Sequence, residues 1–543
     1  MDGFTADLWP PHISDMGSRG IVALISHHPV SQTPRIIPTF SARSFFDDFY
    51  NRIHVSPNML QMGNILSTQT EEITVWNAYL TQKTLTAIDG IEGGMLVEGQ
   101  PVPPLLFEPL AELTYDISVT QEGALSVDAE VSWVFDSYEA PVINITATRV
   151  TVWPFAPDWE DGVRERLEWR TEILASESMV EQRRAMRSTP RRTFNAMMYV
   201  EDRERQYLDL VLFAWSARIW VIPIWHEVQL LASEVALGSS RIDCDTEYLD
   251  FYAGGLAVLR GSTAFEFEGV EIEAIDAAGI DLVRPVQNTW QVGSRLYPAR
   301  TAQLLSEPEQ SRITDAAVSV EVDFLVTELN EWPAVMPITL YRGYPVLGMR
   351  PDENDDLKVS QARLLSTLDN ESALPKFTDL AGLAMPLRGW KWLGMGRSDQ
   401  ADLRSLLYAL RGRQVPLWIP THADDLTVLA TISASGNTID VAWCGVTRFA
   451  SSQAGRCDIR IELFNGTAYH RRITDSTELS STAERIVIDA ALGANVEPSE
   501  IMRVSWMTLS RGSSDQVEIV HDADSVGIAS CALTFRGVRD DAI

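Results

Sequence analysis

The 543-residue chain is short of basic residues, because 44 Lys and Arg stand against 75 Asp and Glu and give a formal charge of −31 at pH 7. A field of that sign repels the phosphates of nucleic acids and of anionic lipids. The charge therefore argues against direct nucleic-acid binding and favours proteins, neutral sugars or cations as partners. The one dense group of bases is Arg183, Arg184, Arg187, Arg191 and Arg192, for which we expect a structural or interface role within a helical segment.

Cysteine is also scarce, with four residues at positions 244, 444, 457 and 531. They are too few and too scattered for a disulfide framework or a zinc site, so we expect small buried thiols in a reducing compartment. The N-terminal residues lack a basic segment followed by an apolar one, and we expect no secretion signal. The most apolar stretch, residues 207–225, contains Asp209, Arg218 and Pro223, which argue against a membrane span.

The common catalytic motifs are missing too. The sequence contains no HExxH pair, Walker loop, GxGxxG or GxSxG elbow, which removes the usual support for a zinc peptidase, a nucleotide-binding protein or a serine hydrolase. His226 and His422 each follow an Ile-Pro pair but lie one residue out of register, as expected of core or turn histidines. Asp352, Asn354 and Asp356 start like a calcium loop, yet the turn glycine is absent, and we predict a solvated turn. We predict no catalytic residues, cofactor or metal.

Residues 51–150 have the alternation of β-strands. Ile73, Val75 and Asn77 alternate along one strand, and apolar residues alternate again through residues 125–135. Gly- and Pro-rich turn signals separate such segments, which favours a β-sandwich. The stretch RIHVSPNMLQMGNILSTQTEEITVWNA resembles the opening strands of an immunoglobulin-like sandwich. Residues 1–50 are predicted to be an arm with short strands and a helical turn at residues 44–50.

The rest of the chain is expected to combine helix and strand. Residues 153–205 carry apolar residues at Val163, Leu167, Ile173 and Leu174, with charges on the other faces, and we predict a mainly helical segment. After Pro223 the pattern returns to strands, the clearest of which alternates through residues 318–324.

One motif occurs twice, as LFAWSARIWVIP at residues 212–223 and as LYALRGRQVPLWIP at residues 407–420. The matched residues are Phe213 with Tyr408, Arg218 with Arg413, Ile222 with Ile419, Pro223 with Pro420, Pro190 with Pro386, and Arg192 with Arg388. The end of the motif suits a half-buried strand that stops at proline, which has no amide donor. We treat these residues as a structural repeat motif of a duplicated unit that spans roughly residues 153–328 and 340–537.

The fold class is therefore predicted to be mainly β with α segments. The expected domains are an N-terminal arm at 1–50, an immunoglobulin-like β-sandwich at 51–150, and two tandem β-rich repeat domains with helical lead-ins at 151–330 and 331–543.

The duplicated motifs also point to a family. The runs WPFAPDW, TEILAS, EQRRAMRSTPRRTF and SARIWVIPIW resemble virion structural proteins from the tail-tip gene cluster of long-tailed bacteriophages, and so do LPKFTDLAGLAMPLRGW and RCDIRIELFNGTAYHRRIT. The resemblance covers about residues 150–537. It implies a non-enzymatic part of a tail tip or baseplate, assembled in the host cytoplasm, that joins the tail tube or hub to host-recognition proteins.

The partners implied are further copies of the chain in a symmetric ring of three or six, and the tail tube, distal-tail, hub and fibre proteins. Richness in Trp and Arg suits such interfaces. Two other functions stay open from the sequence: a module that binds cell-surface carbohydrate, and a tail-associated hydrolase.

Overall fold

The protein, for which the structure is a computed structural model, is mainly β. The described residues are 46, 49–137, 140–354, 356–450, 453, 455–524 and 527–539. The predicted arm at residues 1–50 and its helical turn lie outside them, apart from Phe46, Phe49 and Tyr50. Within the described part of the chain, none of the helices combines the length and the apolar character needed to cross a membrane.

Residues 53–152 form two facing sheets that share one core. The strands are β1 (Ile53–Ser56), β2 (Met59–Ile65), β3 (Gln69–Asn77), β4 (Lys83–Asp89), β5 (Met95–Glu98), β6 (Leu105–Phe107), β7 (Glu112–Val119), β8 (Ser126–Phe135) and β9 (Val142–Val152). One sheet has the order β1-β3-β7-β5, and the other joins β2, β9, β8, β4 and β6. Ile73 and Val75 of β3 share the core with Val131 and Trp133 of β8, which confirms the alternation predicted for both strands.

A second group of elements contains the helix α1. Its elements are β10 (Val163–Glu168), β11 (Thr171–Ala175), β12 (Glu181–Ala185), β13 (Arg191–Glu201), α1 (Asp202–Trp215), β14 (Ile219–Pro223), β15 (Gln229–Leu230), β16 (Arg241–Asp243), β17 (Leu256–Arg260), β18 (Phe267–Asp276), β19 (Gly279–Leu282), β20 (Arg295–Leu304), β21 (Gln310–Arg312) and β22 (Ala317–Val326). We call β13 to β22, residues 191–326, the first module. The alternation predicted at residues 318–324 is confirmed, because these residues of β22 are buried at every second position.

A third group of elements contains the helix α2. Its elements are β23 (Leu340–Tyr341), β24 (Tyr344–Pro345), β25 (Lys358–Ala362), β26 (Leu365–Leu368), β27 (Lys376–Asp379), β28 (Met385–Met395), α2 (Arg397–Leu410), β29 (Leu417–Pro420), β30 (Thr438–Ala442), β31 (Asp458–Leu463), β32 (Ala468–Glu478), β33 (Ala483–Ile488), β34 (Ile501–Gly512), β35 (Gln516–His521) and β36 (Ile528–Gly537). We call β28 to β36, residues 385–537, the second module.

The antiparallel pairings of the two modules correspond. β13 pairs with β22 as β28 pairs with β36, and β14 pairs with β20 as β29 pairs with β34. β17 lies between β18 and β20 as β31 lies between β32 and β34. β19 pairs with β16 and β18 as β33 pairs with β30 and β32. β22 pairs with β20 and β21 as β36 pairs with β34 and β35, and β10 pairs with β13 as β25 pairs with β28.

The correspondence extends to single residues. The two prolines are the reference points for this comparison, because Pro223 lies opposite Ala299 of β20 and Pro420 lies opposite Met507 of β34. Followed from there, the ladders match Ala302 with Ser510, Val326 with Gly537, Phe324 with Phe535, Phe194 with Arg388, Glu165 with Val359, and Gln310 with Ile519. Both helices are 14 residues long.

The helical lead-ins are a wrong prediction. Residues 163–201 form β10 to β13, a helix begins only at Asp202, and residues 365–395 likewise form strands. Val163 and Leu167 are four residues apart, which suits one face of a helix but equally one face of a strand, because four is even. Glu165, which lies between them, is charged and yet only 1% exposed. The group of arginines at residues 183–192 accordingly lies on and beside β12 and β13.

The duplicated motif contains the end of a helix and the strand that follows it. β14 and β29 both end at the proline, as predicted. The expectation of half-buried strands is wrong, because the last four residues of each are buried. Both faces are covered, so the side chains of these four residues point into packed structure.

The cysteines only partly follow the prediction. All four are free thiols; Cys531 is buried, Cys244 and Cys457 have intermediate exposure, and Cys444 is exposed. Cys444 lies at the start of a loop whose backbone is held by a buried carboxylate, so its position reflects the backbone rather than burial of the thiol.

Three contacts join the groups into one body. The end of β9, Val150–Val152, pairs in parallel with Ile219–Val221 of β14. β10 pairs along one edge with β13 and along the other with β35 of the second module. The hairpin β11–β12 is attached to β34 by Glu181, which accepts two hydrogen bonds from Arg511 at 2.7 Å each. A continuous sheet therefore runs from the first module into the second.

Candidate functional site

A buried group of charged side chains lies where the two modules meet. We call it the junction cluster; it consists of Glu165, Arg192, His226, Glu227, Asp250, Arg300, Arg404 and His521, each at most 7% exposed. β10 supplies the glutamate at its centre, the first module supplies five members, and α2 and β35 of the second module supply Arg404 and His521. Such burial of charge is costly unless every charge is paired.

Glu165 holds both modules. Its Oε1 accepts hydrogen bonds from Arg192 Nε and Arg404 Nη2, each at 2.7 Å. Its Oε2 lies 2.9 Å from His521 Nε2. Burial by itself would raise the pKa of Glu165, but the two arginines and the bond with His521 outweigh it and hold that pKa well below its usual value. The carboxylate is therefore ionised at neutral pH and fully paired.

Asp250 completes the cluster on the side of the first module. It forms ion pairs with Arg192 and with Arg300, whose Nη2 lies 2.5 Å from Asp250 Oδ1. Burial opposes ionisation of Asp250, but Arg192 and Arg300 lower its pKa.

The third carboxyl group behaves differently. Glu227 accepts the backbone N–H of Asp250 at 2.6 Å and a hydrogen bond from Arg404 Nη1 at 3.2 Å. Burial raises the pKa of Glu227 to about 7, and the neighbouring charge of Asp250 adds to the rise against the attraction of Arg404. Glu227 is therefore harder to ionise than Glu165 and Asp250.

The two histidines form a stacked pair. The rings of His226 and His521 lie 3.4 Å apart and are nearly parallel, at 5°. Burial lowers both pKa values; each ring also disfavours a positive charge because Arg192 and Arg404 are close. A neutral pair fits the gap between arginines without adding charge.

Three members could in principle hold a metal, because ligand atoms of Glu165, His226 and His521 lie within 4.8 Å of one another. The adjoining cavity of about 20 Å³ holds roughly one water. The carboxylate, however, already receives two guanidinium groups, whose positive charge repels a cation at the same oxygens. The arrangement is suited to joining two modules.

Two open grooves flank α2. One, of about 740 Å³, is lined by Tyr248, Tyr252, Trp332 and Asp402, and reaches Arg300 of the junction cluster. The other, of about 450 Å³, is lined by Asp352, Trp392, Asp399 and Asp402. The predicted turn at residues 352–356 borders this groove; Asp352 Oδ1 accepts the backbone N–H of Asn354 at 3.0 Å, as in a local turn.

The repeat-motif arginines after the helices make similar attachments. Arg218 donates to the backbone oxygen of Gln121 at 2.8 Å, which ties the first module to the preceding sandwich. Arg413 donates to the backbone oxygen of Thr171 and to Asp515, at 2.8 and 2.9 Å, which ties the second module to β11. Each arginine therefore holds its own module to the part of the chain that precedes it.

The other matched arginines differ. Arg192 belongs to the junction cluster, whereas Arg388 is buried and donates to the backbone oxygen of Ile419 and to Thr508 Oγ1, at 3.1 and 3.2 Å. Burial and the nearby Arg456 lower the pKa of Arg388 to about 10. The ladders give Arg388 the position of Phe194, two residues beyond Arg192 on the same face of the strand.

The remaining motif residues have structural positions. Phe213 and Tyr408 stand eleven residues after the first residue of their helices, but Phe213 is 91% exposed and Tyr408 is 7% exposed. Ile222 and Ile419 are buried in the strands that end at Pro223 and Pro420. Pro190 precedes β13 and is buried, and Pro386 is the second residue of β28.

The junction cluster was not found from the sequence. Glu165 and His521 are 356 positions apart, and no spacing rule connects them. The usable signal was local: a glutamate on the inward side of the alternation Val163, Glu165, Leu167 implies a buried partner of opposite charge. His226, expected to be a core histidine, lies in the core beside that glutamate.

Comparison of the sequence with models of protein families gives no match. Comparison with curated proteins gives no match either. One of the solved structures that match is the "Secreted serine protease VesC from Vibrio cholerae", with 8% sequence identity and a TM-score of 0.15. The match covers 49% of this chain and 48% of that chain, so it spans about half the length of each. With so low a TM-score it carries no argument about fold or activity.

Proposed function

We propose that the chain is a structural component of a bacteriophage tail tip or baseplate, which connects the tail tube or hub to host-recognition proteins. The observation that carries the proposal is the agreement of the strand ladders in the two modules. Two copies of one unit, fixed to each other by a continuous sheet and a buried ionic cluster, make a rigid block. Such a block serves contact rather than turnover.

The same ladders support the domain arrangement that we propose. Residues 151–330 and 331–543 would be the two repeats, and residues 51–150 an immunoglobulin-like sandwich. In support of the latter, the chain leaves the first sheet after β1, and β2 joins the other sheet in parallel with β9. We assign the chain no catalytic, cofactor-binding or metal-binding residue.

The partners we propose are further copies of this chain, in a ring, and the tail tube, distal-tail, hub and fibre proteins. The attachments of Arg218 and Arg413 support a structural role for the motif, because both arginines bind backbone oxygens of preceding segments of the same chain. The location would be the virion, after assembly in the host cytoplasm.

Negative-stain electron microscopy of the purified full chain tests this function, together with immunogold labelling of phage particles. Rings in the first experiment and label at the tail tip in the second are the expected results. Strictly monomeric particles at high concentration and unlabelled tails would contradict the proposal.

A specific observation favours carbohydrate binding as a second candidate. On the sandwich, the rings of Phe49 and His54 lie 5.4 and 5.2 Å from that of Trp76, and Tyr50 is 6.4 Å away. Aromatic groups of this kind can stack on a neutral sugar. Binding of the full chain to host surface glycan, lost in Trp76→Ala and kept in Trp443→Ala, would support this alternative; equal binding by both variants would reject it.

A further inference from the structure

The edges of β25 and β21 are the counterparts, in the two modules, of the edges through which β10 and β35 already pair. Within the chain, β10 and β35 pair edge to edge and connect the modules. Their counterparts are β25 in front of the second module and β21 in the first. In the described part of the chain, β25 pairs with β28 alone and β21 with β22 alone. Each therefore keeps one free edge, and an unpaired edge is a template for another strand.

The segments that follow β10 and β25 differ in exposure. The hairpin β11–β12 docks on the second module through Glu181 and Arg511, which are 5% and 4% exposed. The hairpin β26–β27 occupies the same place in the chain order, but seven of its eight strand residues are exposed, against five of ten in β11 and β12. The first hairpin also exposes an apolar residue, Leu174, but the apolar side chains of β26–β27 form an exposed group. The exposed members are Leu365 at 52%, Leu368 at 61%, Leu374 at 95% and Phe377 at 63%. So many exposed apolar residues in one short segment are typical of an interface.

A matching apolar surface lies on α1. In the second module, Tyr408 of α2 is covered by Trp169, which follows β10; the ring centroids are 5.8 Å apart at 85°. The counterpart of Tyr408 is Phe213, which is 91% exposed, and Leu210 beside it is 64% exposed. The first module thus lacks the cover that the second module receives.

We propose that β25 of one copy of this chain pairs antiparallel with β21 of the next copy, and that its hairpin β26–β27 covers α1 there. The register follows from the internal junction, where Arg164 lies opposite Val520 and Glu165 opposite Ile519. The corresponding pairs between copies are Lys358 with Ser311 and Val359 with Gln310. Lys358 then also lies diagonal to Glu309, which is a favourable pairing of charges.

A second copy is the occupant that the geometry selects, because the two surfaces are counterparts of a junction that the chain already makes with itself. The contact joins different surfaces of the two copies, so repetition gives a closed ring or an open filament. This inference rests on the proposed self-assembly and specifies the surfaces that carry it.

Cysteine cross-linking tests the register. Starting from Cys444→Ser, which removes the exposed thiol, we would prepare Lys358→Cys, Ser311→Cys and the variant with both changes. Opposed residues of paired strands are about 4.5–5.5 Å apart at Cα, within the range of a disulfide. After mild oxidation, a mixture of the two single variants should give dimers on a non-reducing gel, and the double variant a ladder of larger products.

The controls separate this contact from others. Either single variant alone should give no cross-link, because the proposed contact joins residue 358 of one copy to residue 311 of the next. A cross-link in a single variant would instead indicate a two-fold contact between like surfaces. Asp128→Cys mixed with Lys358→Cys should also give none, because Asp128 lies on the sandwich. Sedimentation provides a second measurement: Phe213→Asp should weaken self-association at least tenfold with an unchanged melting temperature, and Val102→Asp, also at an exposed apolar residue, should leave it unchanged.

Failure of this interface and failure of the proposed function give different results. Oligomers that form without cross-linking of residues 358 and 311, and that persist in Phe213→Asp, would overturn this interface but leave the ring intact. A chain that stays monomeric, with no cross-link at any concentration, would overturn both.

Discussion

Replacement of Glu165 by Gln should destabilise the protein by about 3 kcal/mol. The change keeps the shape of the side chain but removes the charge that pairs with Arg192 and Arg404. Breaking a buried ion pair by removing one partner costs roughly 3–5 kcal/mol, because the other charge is left uncompensated. The lower end applies here, since Arg192 keeps Asp250 and Arg404 keeps Glu227.

The matched control lies on the same pair of strands. Glu518 of β35 forms an ion pair with Arg166 of β10 at 3.3 Å, and these side chains are 40% and 49% exposed. Glu518→Gln should therefore cost roughly 0–1 kcal/mol. The measurement is urea unfolding at pH 7, followed by tryptophan fluorescence, with Trp169 next to β10 as a buried reporter. A loss below about 1 kcal/mol for Glu165→Gln, or one equal to that of the control, would refute the view that the cluster holds the modules together.

Three further predictions concern single side chains. Burial, followed by the charge of Arg460, lowers the pKa of His422 to about 4. Between that pH and about 6.5 the folded protein binds fewer protons at this residue than the unfolded chain does. The free energy of unfolding therefore falls as the pH drops through this range. His422→Asn, which tolerates the positive φ of 56° there, should reduce that fall by about 3 kcal/mol in urea unfolding across this range; an unchanged slope would contradict it. Glu484 accepts the backbone N–H groups of residues 444–447, so Glu484→Gln should cost about 2–3 kcal/mol, and a neutral result in the same assay would argue against that anchor. Glu181→Gln should speed tryptic cleavage within the hairpin at residues 171–185, whereas the exposed Glu172→Gln should not; equal rates would show that the hairpin does not depend on Arg511.

The parts of the fold that could be predicted from the sequence are those where burial repeats with a clear period. Strands β8 and β22 alternate apolar and polar residues because one face of each meets a core, and the alternation gave them correctly. The strand ends at Pro223 and Pro420 were also predicted, since proline lacks the N–H that pairing needs.

Prediction from the sequence failed where the same spacing of apolar residues fits both a helix and a strand. It also failed where a residue contacts residues that are far from it along the chain. Val163 and Leu167 fit a helix and a strand equally, and the buried Glu165 between them made the pattern look polar. The duplicated strands were expected to be half-buried because the sequence does not show that a second layer covers them. The junction cluster depends on residues from β10, both modules and a loop, and their meeting is set by the topology. The immunoglobulin-like sandwich, the phage-tail function and the ring stay predictions.

The pairing of β10 with β35 also bears on synthesis of the chain. At about 5–20 residues per second, a ribosome needs roughly 20–70 s to proceed from Glu165 to His521, which are 356 positions apart. Throughout that interval the outer edge of β10 has no partner strand, and the carboxylate of Glu165, although Arg192 is already present, still lacks His521. Until β35 has been synthesised, that edge of a nascent first module is thus a template for strands of neighbouring polypeptides.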